Sequence, residues 1–591
     1  MAERPDIGNA TGTARSHAGM PLWGHLPAST AAALLRDLPI VVAALALFYG
    51  LLALTHYWTQ PVNTQPPLHL TPGALPLYAL YSLARILVAY FLSLVFAVVY
   101  GQIAAHNARA ERIMIPLLDT LQSIPVLSFL PPVMAAMVAL FPTRQFGVEL
   151  GSILLIFTGQ VWNMAFSVYS STKNIPHELV EAAAVFRLNW WQRFTRLEMP
   201  CAAIGLVWNS MMSVAGGWFF LMACEAFVLG NSVRLPGLGS YLQTAADNAD
   251  MRSIVWGLST MIAVIVLMDQ LLWRPIIAWA EKFKLEQVEA AETPRSPILT
   301  LLRRSRVLAA IGHVAVQPAR ERIDVYFAKK EAVAHAPHPP GAARRWMGRT
   351  AGVAALLVIL YAVARMGIML SALSPPEVRE IFVGAGATFL RVLLSLSLAG
   401  LWTIPVGVYI GLRPRLAALA QPMAQIAASV PATALFPIVL LALIHFGGGL
   451  GVGSIVLMLL GTQWYILFNV IAGASAIPTD LKEVCSIFHM SNFERWRRLL
   501  LPGIFPYLIT GFVTASGGAW NASIVAEYST VQHKTYSTIG LGAIISRANE
   551  SGNVAMLLGA TVVMAALVVT VNRLFWRRMY GLASSRFKLE T

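Results

Sequence analysis

The chain has 591 residues, 57% of them hydrophobic and 12% charged, with a formal charge of +15. Soluble domains carry about 25% charge, so the composition excludes an ordinary soluble enzyme and points to a polytopic membrane protein. The basic residues lie in short stretches between apolar runs, where they report orientation, and no basic face with interleaved aromatics suits nucleic acid.

Residues 1–33 are polar, with no apolar stretch before a cleavage site, so they read as a cytoplasmic N-terminal segment rather than a cleavable signal. Runs long enough to cross a bilayer follow near 34–55, 80–103, 114–140, 149–171, 201–223 and 253–275. A second set lies near 350–370, 386–410, 420–445, 452–472, 504–525 and 553–575. Lys and Arg cluster after the even-numbered spans: Arg109 and Arg112, then Lys173, Arg187, Arg193 and Arg196, then Arg274, Lys282 and Lys284. Arg413, Arg415, the Arg495–Arg498 cluster, Arg577 and Arg578 repeat the bias, with Arg144 and Arg234 as exceptions. This predicts that both termini are cytoplasmic. Cys201, Cys224 and Cys485 form neither a CxxC pair nor a zinc pattern. His106, His445 and His489 lack ligand spacing and read as solvated or interfacial.

The two sets of spans are copies. Arg85 and Arg391, Pro125 and Pro431, and Pro131 and Pro437 are each 306 positions apart. Beyond a four-residue deletion the offset is 302, joining Trp162 to Trp464, Pro176 to Pro478, Glu181 to Glu483, Pro200 to Pro502, Trp218 to Trp520 and Glu225 to Glu527. "PGLG" is echoed by "IGLG", and "FKLE" occurs at 283–286 and 587–590. The expected organisation is a first repeat over 34–285, a basic cytoplasmic linker over 286–348 and a second repeat over 349–591. An even number of spans per repeat gives both the same orientation, with a pseudo-twofold axis along the membrane normal, and disfavours inverted-repeat folds. The linker reads as a solvated tether between once-separate subunits; its start also suits an amphipathic helix on the inner leaflet.

Two charged, amphipathic stretches interrupt the apolar pattern: "NIPHELVEAAAVFRLNWWQRFTRLEMP" over 174–200 and "AIPTDLKEVCSIFHMSNFERWRRLLLP" over 476–502. In the first, a proline-started helix carries Leu179, Ala182, Ala183 and Phe186 on one stripe, before a turn and a second helix with Trp190, Trp191 and Phe194. Such a projecting helix pair with an apolar stripe calls for a docking partner.

"EAAAVFRLNWWQRFTRLEMP" resembles the EAA loop of binding-protein-dependent ABC importer permeases. The resemblance covers about 78–285 and 384–590, and the "SLxR" start, paired prolines and Glu before "GLG" are closest to the nitrate, sulfonate, taurine and bicarbonate branch, fused into one chain. It implies an all-α polytopic fold of two parallel repeats of about six helices, in a bacterial-type inner membrane. It further implies coupling helices seated on two separate ABC ATPase subunits, an extracytoplasmic substrate-binding protein and a small anionic cargo. The coupling residues carried over are Glu181, Ala182, Ala183, Phe186 and Arg187, with Glu483, Val484, Cys485, Phe488 and His489. The family's glycine position is Arg187 in one loop and His489 in the other, so the turn is expected to be built differently there, or the helices to meet at another angle. Cys485 and Val484 make the second stripe bulkier, and the two ATPase contacts are expected to be unequal.

No GxxxxGK[ST] pattern occurs, so the chain is expected to hold no cofactor, leaving ATP and Mg²⁺ to the partner ATPases. HExxH, GxSxG and paired catalytic acids are likewise absent from the sequence. An arginine within a span is costly unless paired, so Arg85 and Arg391, with Glu225 and Glu527, read as in-half ion pairs or as a gate or anion site. Asn163, Trp208, Asn209, Ser213, Asn521 and Ser523 are candidates for lining a path, with interhelical hydrogen bonding as the alternative. The competing reading is an ion-gradient-driven carrier or channel; Asp269 is the nearest carboxylate for it, and its counterpart is Asn572-Arg573.

Overall fold

The computed structural model describes residues 68–586, apart from 144, 227–234, 284–295, 335–341, 446–448 and 532–533, and scattered positions between 37 and 61. Most of the expected first span, Arg144, Arg234 and both "KLE" tails lie outside the described residues.

The first half comprises α1 (Leu75–His106), α2 (Ala108–Ser123), α3 (Leu130–Leu140), α4 (Phe146–Lys173), α5 (His177–Val185), α6 (Trp190–Arg193), α7 (Met199–Ala226), α8 (Leu238–Asp247), α9 (Met251–Met268) and α10 (Arg274–Ala280). The connection forms α11 (Pro297–Arg304), α12 (Arg306–Ile311) and α13 (Gln317–Ala334). The second half follows as α14 (Ala342–Leu370), α15 (Pro375–Gly411), α16 (Pro414–Ser429), α17 (Ala432–His445), α18 (Leu450–Ser475), α19 (Thr479–Ile487), α20 (Asn492–Arg495), α21 (Leu501–Ala526), α22 (Leu541–Glu550), α23 (Val554–Val571) and α24 (Arg577–Arg586). A hairpin of β1 (Tyr528–Val531) and β2 (Lys534–Ser537) stands between α21 and α22, unforeseen by the helical reading.

Short polar turns start the helices. Asn107 caps α2 through the amides of Arg109 and Ala110, and Asp250 caps α9 in the same way. Ser374 and Glu377 form a capping box on α15, which carries two prolines in its first turn.

Nine helices among the described residues are long and apolar enough to cross a membrane. The expected third span, 114–140, is not one helix: α2 and the segment from Val126 diverge by 86°. Ile124 is extended (φ −82°, ψ 130°) because it precedes Pro125, whose ring disfavours helical backbone in the residue before it. Val430, before Pro431, is extended for the same reason (φ −71°, ψ 114°), and it divides the expected span 420–445 into α16 and α17. The expected start of the second repeat, at 349, falls inside α14.

In each half one central helix is sandwiched: α4 between α1 and α7, and α18 between α15 and α21. The crossings fall at matched glycines. A Cβ on Gly101 would lie 2.7 Å from Val168, and one on Gly407 would lie 2.7 Å from Val470. Small residues there let apolar helices approach closely.

Four of the contacts between halves come as two exchanged pairs. α17 lies on α7, and the turn 126–129 lies on α21; α9 meets α16, and α23 meets α2. Each of these four contacts has its partner under the repeat, as in a twofold-related interface. The chain is therefore a polytopic, predominantly helical protein of two parallel repeats.

Candidate functional site

The two loops share one backbone design. The amides of Arg187 and Leu188 donate to the carbonyls of Ala184 and Ala183, a Schellman close for α5. The Met490 amide bonds Cys485 in the same way after α19. Arg187 and His489 both adopt φ +48°. This corrects the expectation of a different turn: the left-handed turn is kept, with a side chain at a conformation that usually favours glycine. A capping box then opens each second helix, Asn189 with Gln192 and Ser491 with Glu494. A π-helical turn follows in each, Phe194–Glu198 and Trp496–Leu500.

This geometry sorts the sequence candidates. Val185 and Phe186 are 78% and 77% exposed, and Ile487 and Phe488 are 71% and 75% exposed. Glu181, in contact with His177 at 3.4 Å, and Glu483 are exposed, as are Val484, Arg187 and His489, whereas Ala182 is half-buried. Ala183 and Cys485 are buried against the protein body. The bulk added at Cys485 therefore faces inward, away from a docking partner.

Among the described residues, the helical connection packs against the first loop. Phe327 of α13 stacks on Trp191 at 5.2 Å and meets Trp190 at 5.9 Å, while Arg196 pairs with Asp324 at 3.0 Å. In the first half His106, read as solvated or interfacial, contacts buried Glu198 at 2.9 Å, and Arg193 reaches the same carboxylate at 2.8 Å. The repeat places Leu412 and Leu500 where His106 and Glu198 stand, so this cluster is not duplicated.

At the opposite end of the spans, Arg85 is 1% exposed and is held by two carboxylates. Its Nε and Nη2 donate to Glu149 at 2.7 and 2.6 Å, and its Nη1 donates to Glu225 at 2.6 Å and to the Pro236 carbonyl at 2.8 Å. Glu225 also accepts from the Ser82 hydroxyl and from the Gly239 amide that opens α8. A Cβ on Gly237 would sit 2.3 Å from the carboxylate, so only glycine admits this approach. In the second half Arg391 donates to Glu527 at 3.0 Å, and Thr388 and the Gly542 amide complete the carboxylate. The repeat puts Gly451 at the place of Glu149, and the free guanidinium arm turns to the Thr538 hydroxyl at 2.8 Å. Sequence reading paired each Arg with its Glu before "GLG". It missed Glu149, because a carboxylate present in one repeat leaves no repeated signal.

Of the proposed path residues, Asn209 donates to the Gly205 carbonyl, Asn521 to the Gly517 carbonyl and the Ser523 hydroxyl to the Trp520 carbonyl, all within their own helices. Ser213 is buried, whereas Asn163 and Trp208 are exposed. No cluster of metal-ligating side chains occurs among the described residues.

The duplicated helical body, its paired projecting loops and its buried arginine centres define a two-repeat membrane permease. The chain belongs to the family of binding-protein-dependent transport system inner membrane components, which it matches over 93–271 and again over 403–588. It is similar to the bicarbonate transport system permease protein CmpB of Synechococcus elongatus, 28% identical over 187 residues, covering 32% of this chain and 64% of that protein. The nitrate import permease protein NrtB of Leptolyngbya laminosa is 27% identical over 206 residues, 35% of this chain and 68% of the relative. The taurine transport system permease protein TauC of Escherichia coli is 27% identical over 183 residues, 31% and 61%. Each alignment thus spans roughly a third of this chain and less than 70% of its relative.

Proposed function

We propose that this chain is the transmembrane component of an ATP-driven importer for a small anion, one polypeptide standing where two permease subunits would pair. The carrying observation is the pair of exposed apolar tips, Val185-Phe186 and Ile487-Phe488, on loops of matched backbone. Each tip suits a cleft on a separate ATPase subunit at the cytoplasmic face. ATP-driven closure of the two ATPases draws the loops together, and α7 and α21, which continue from the loops through the π-turns, transmit that movement. Glu181 and Glu483 stand beside the tips as the polar coupling contacts. The nitrate, bicarbonate and taurine relatives support an anionic or sulfonate cargo, delivered by an extracytoplasmic binding protein. Against a gradient-driven carrier, Asp269 is tied to Arg274 at 3.3 Å, and its counterpart is an asparagine.

Co-purification with ATPase subunits tests this reading, followed by ATP hydrolysis by wild type and by Glu181→Ala, Glu483→Ala and the double variant. A stable complex is expected, with hydrolysis lost or uncoupled from uptake in the double variant. No complex with any ATPase, with uptake driven by an ion gradient, would refute it.

A further inference from the structure

The seam between the halves can be followed along α7 and α21. On α7 one face carries Trp208, Met212, Gly216 and Phe219, at helical spacing. This face turns to the second half: the Phe219 carbonyl accepts from Thr433 at 3.4 Å, and a Cβ on Gly216 would lie 4.0 Å from the Tyr465 hydroxyl. The repeat maps it onto Thr510, Thr514, Gly518 and Asn521 of α21. Tyr465 also lies against this second face, its ring 3.4 Å from a Cβ on Gly518. One tyrosine thus lies between matched glycines of the two halves.

Exposure along both faces changes at that level. Toward the coupling loops Trp208 and Met212 are 44% and 47% exposed, and Thr510 and Thr514 are exposed. From the glycines toward the arginine centres, Gly216, Phe219, Gly518 and Asn521 are half-buried, and Val525 is buried. Exposure along both faces thus falls from the loop end to the level of Tyr465. The walls of the seam differ: Trp208, Met212 and Phe219 are apolar, while Thr510, Thr514 and Asn521 are polar, and neither face carries a charge.

The position of Tyr465 in the first half is Asn163, which is exposed in the body of α4 and too short to fill the same space. The Tyr465 hydroxyl makes no hydrogen bond among the described residues. We propose that Tyr465 is the constriction of an inward-open path, and that its hydroxyl and the Asn163 amide bind a small oxyanion there through uncharged donors. The arginines do not serve this site, since Arg85 and Arg391 are engaged with carboxylates at the far end. Uncharged donors hold an anion without the strong pairing that would hinder its release. The oxyanion half of this inference rests on the importer reading above; the constriction half does not.

Both halves are tested on the full chain in liposomes without ATPase, so failure here is separable from failure of ATPase coupling. Entry of iodide is followed by quenching of an entrapped fluorophore. Tyr465→Ala is expected to admit iodide faster than wild type, as removal of a pore constriction does, with Tyr465→Phe as tight as wild type. A tight, monodisperse Tyr465→Ala protein overturns the constriction, as does a leak equal in both variants.

In a background with Cys201, Cys224 and Cys485 replaced by serine, Met212→Cys and Thr514→Cys are expected to react with an impermeant thiol reagent from the loop side only. Reaction from the other side in unmodified Tyr465 protein overturns the proposal even if Tyr465→Ala fails to fold. Nitrate, bicarbonate or taurine is expected to slow labelling of Thr514→Cys relative to gluconate, and Tyr465→Phe to abolish that protection. If none of the three slows labelling, the oxyanion site is overturned.

Discussion

At the scale of single residues, the two arginine centres show what the repeat preserved and what it released. Arg85 with Glu149 and Glu225 is sealed, whereas Arg391 is 14% exposed with a single carboxylate. Removing one partner of a buried ion pair costs about 3–5 kcal/mol because the remaining charge is stranded. Arg85→Met strands two carboxylates and is expected to lower the thermal aggregation temperature markedly. Arg391→Met strands one at a less sealed site and should lower it less; equal losses would contradict the asymmetry. The loop turns make a second case. A side chain in the left-handed region costs about 1–2 kcal/mol, and Arg187 and His489 both occupy it. Arg187→Gly and His489→Gly are expected to slow amide hydrogen exchange at the α5 and α19 C-termini, without altering the loop conformation.

At the scale of elements, the connection between halves is a structural part. Sequence reading left it as a tether or a membrane-surface helix, because α13 has no continuous apolar stripe to announce a packing face. Its anchorage is local: Phe327 against Trp190 and Trp191, and Asp324 against Arg196. Aromatic contacts of this kind contribute about 0.5–1.5 kcal/mol beyond burial. Phe327→Ala is expected to accelerate proteolysis within 317–334 and hydrogen exchange in α6, leaving the second loop unchanged. Unaltered cleavage would show that α13 is held by other contacts. The broken third span teaches a related lesson. Pro125 and Pro431 were visible as matched residues, yet summed hydropathy carried a straight span through them. The restriction that proline places on the preceding residue decides the geometry, and hydropathy is blind to it.

At the scale of the whole molecule, the duplication was legible because it rests on residue identities kept at fixed offsets. Those offsets brought out the loops, the Arg–Glu pairs and the parallel arrangement of the halves. Several of the features missed break the repeat: Glu149, the His106–Glu198–Arg193 cluster, and α13 against the first loop. A search for likeness between halves passes over each of them by construction. The four π-helical turns that do repeat, at 194–198, 269–273, 496–500 and 572–576, carry no local composition signal; an extra residue in a helical turn shows only in backbone hydrogen bonding.

Those departures share a consequence. In a pair of identical subunits every substitution is made twice, once on each side of the axis, so a side chain near the axis must tolerate its own copy. Two tyrosines facing across Gly216 and Gly518 would compete for the space that Tyr465 occupies. Joining the subunits end to end frees each position from that self-encounter, and Asn163 at the repeat position of Tyr465 is a combination open only to halves that mutate independently. The connection at 286–348 is, in that sense, a licence for asymmetry: it lets one wall of the seam become polar while the other stays apolar, with each half's partner fixed by the chain itself.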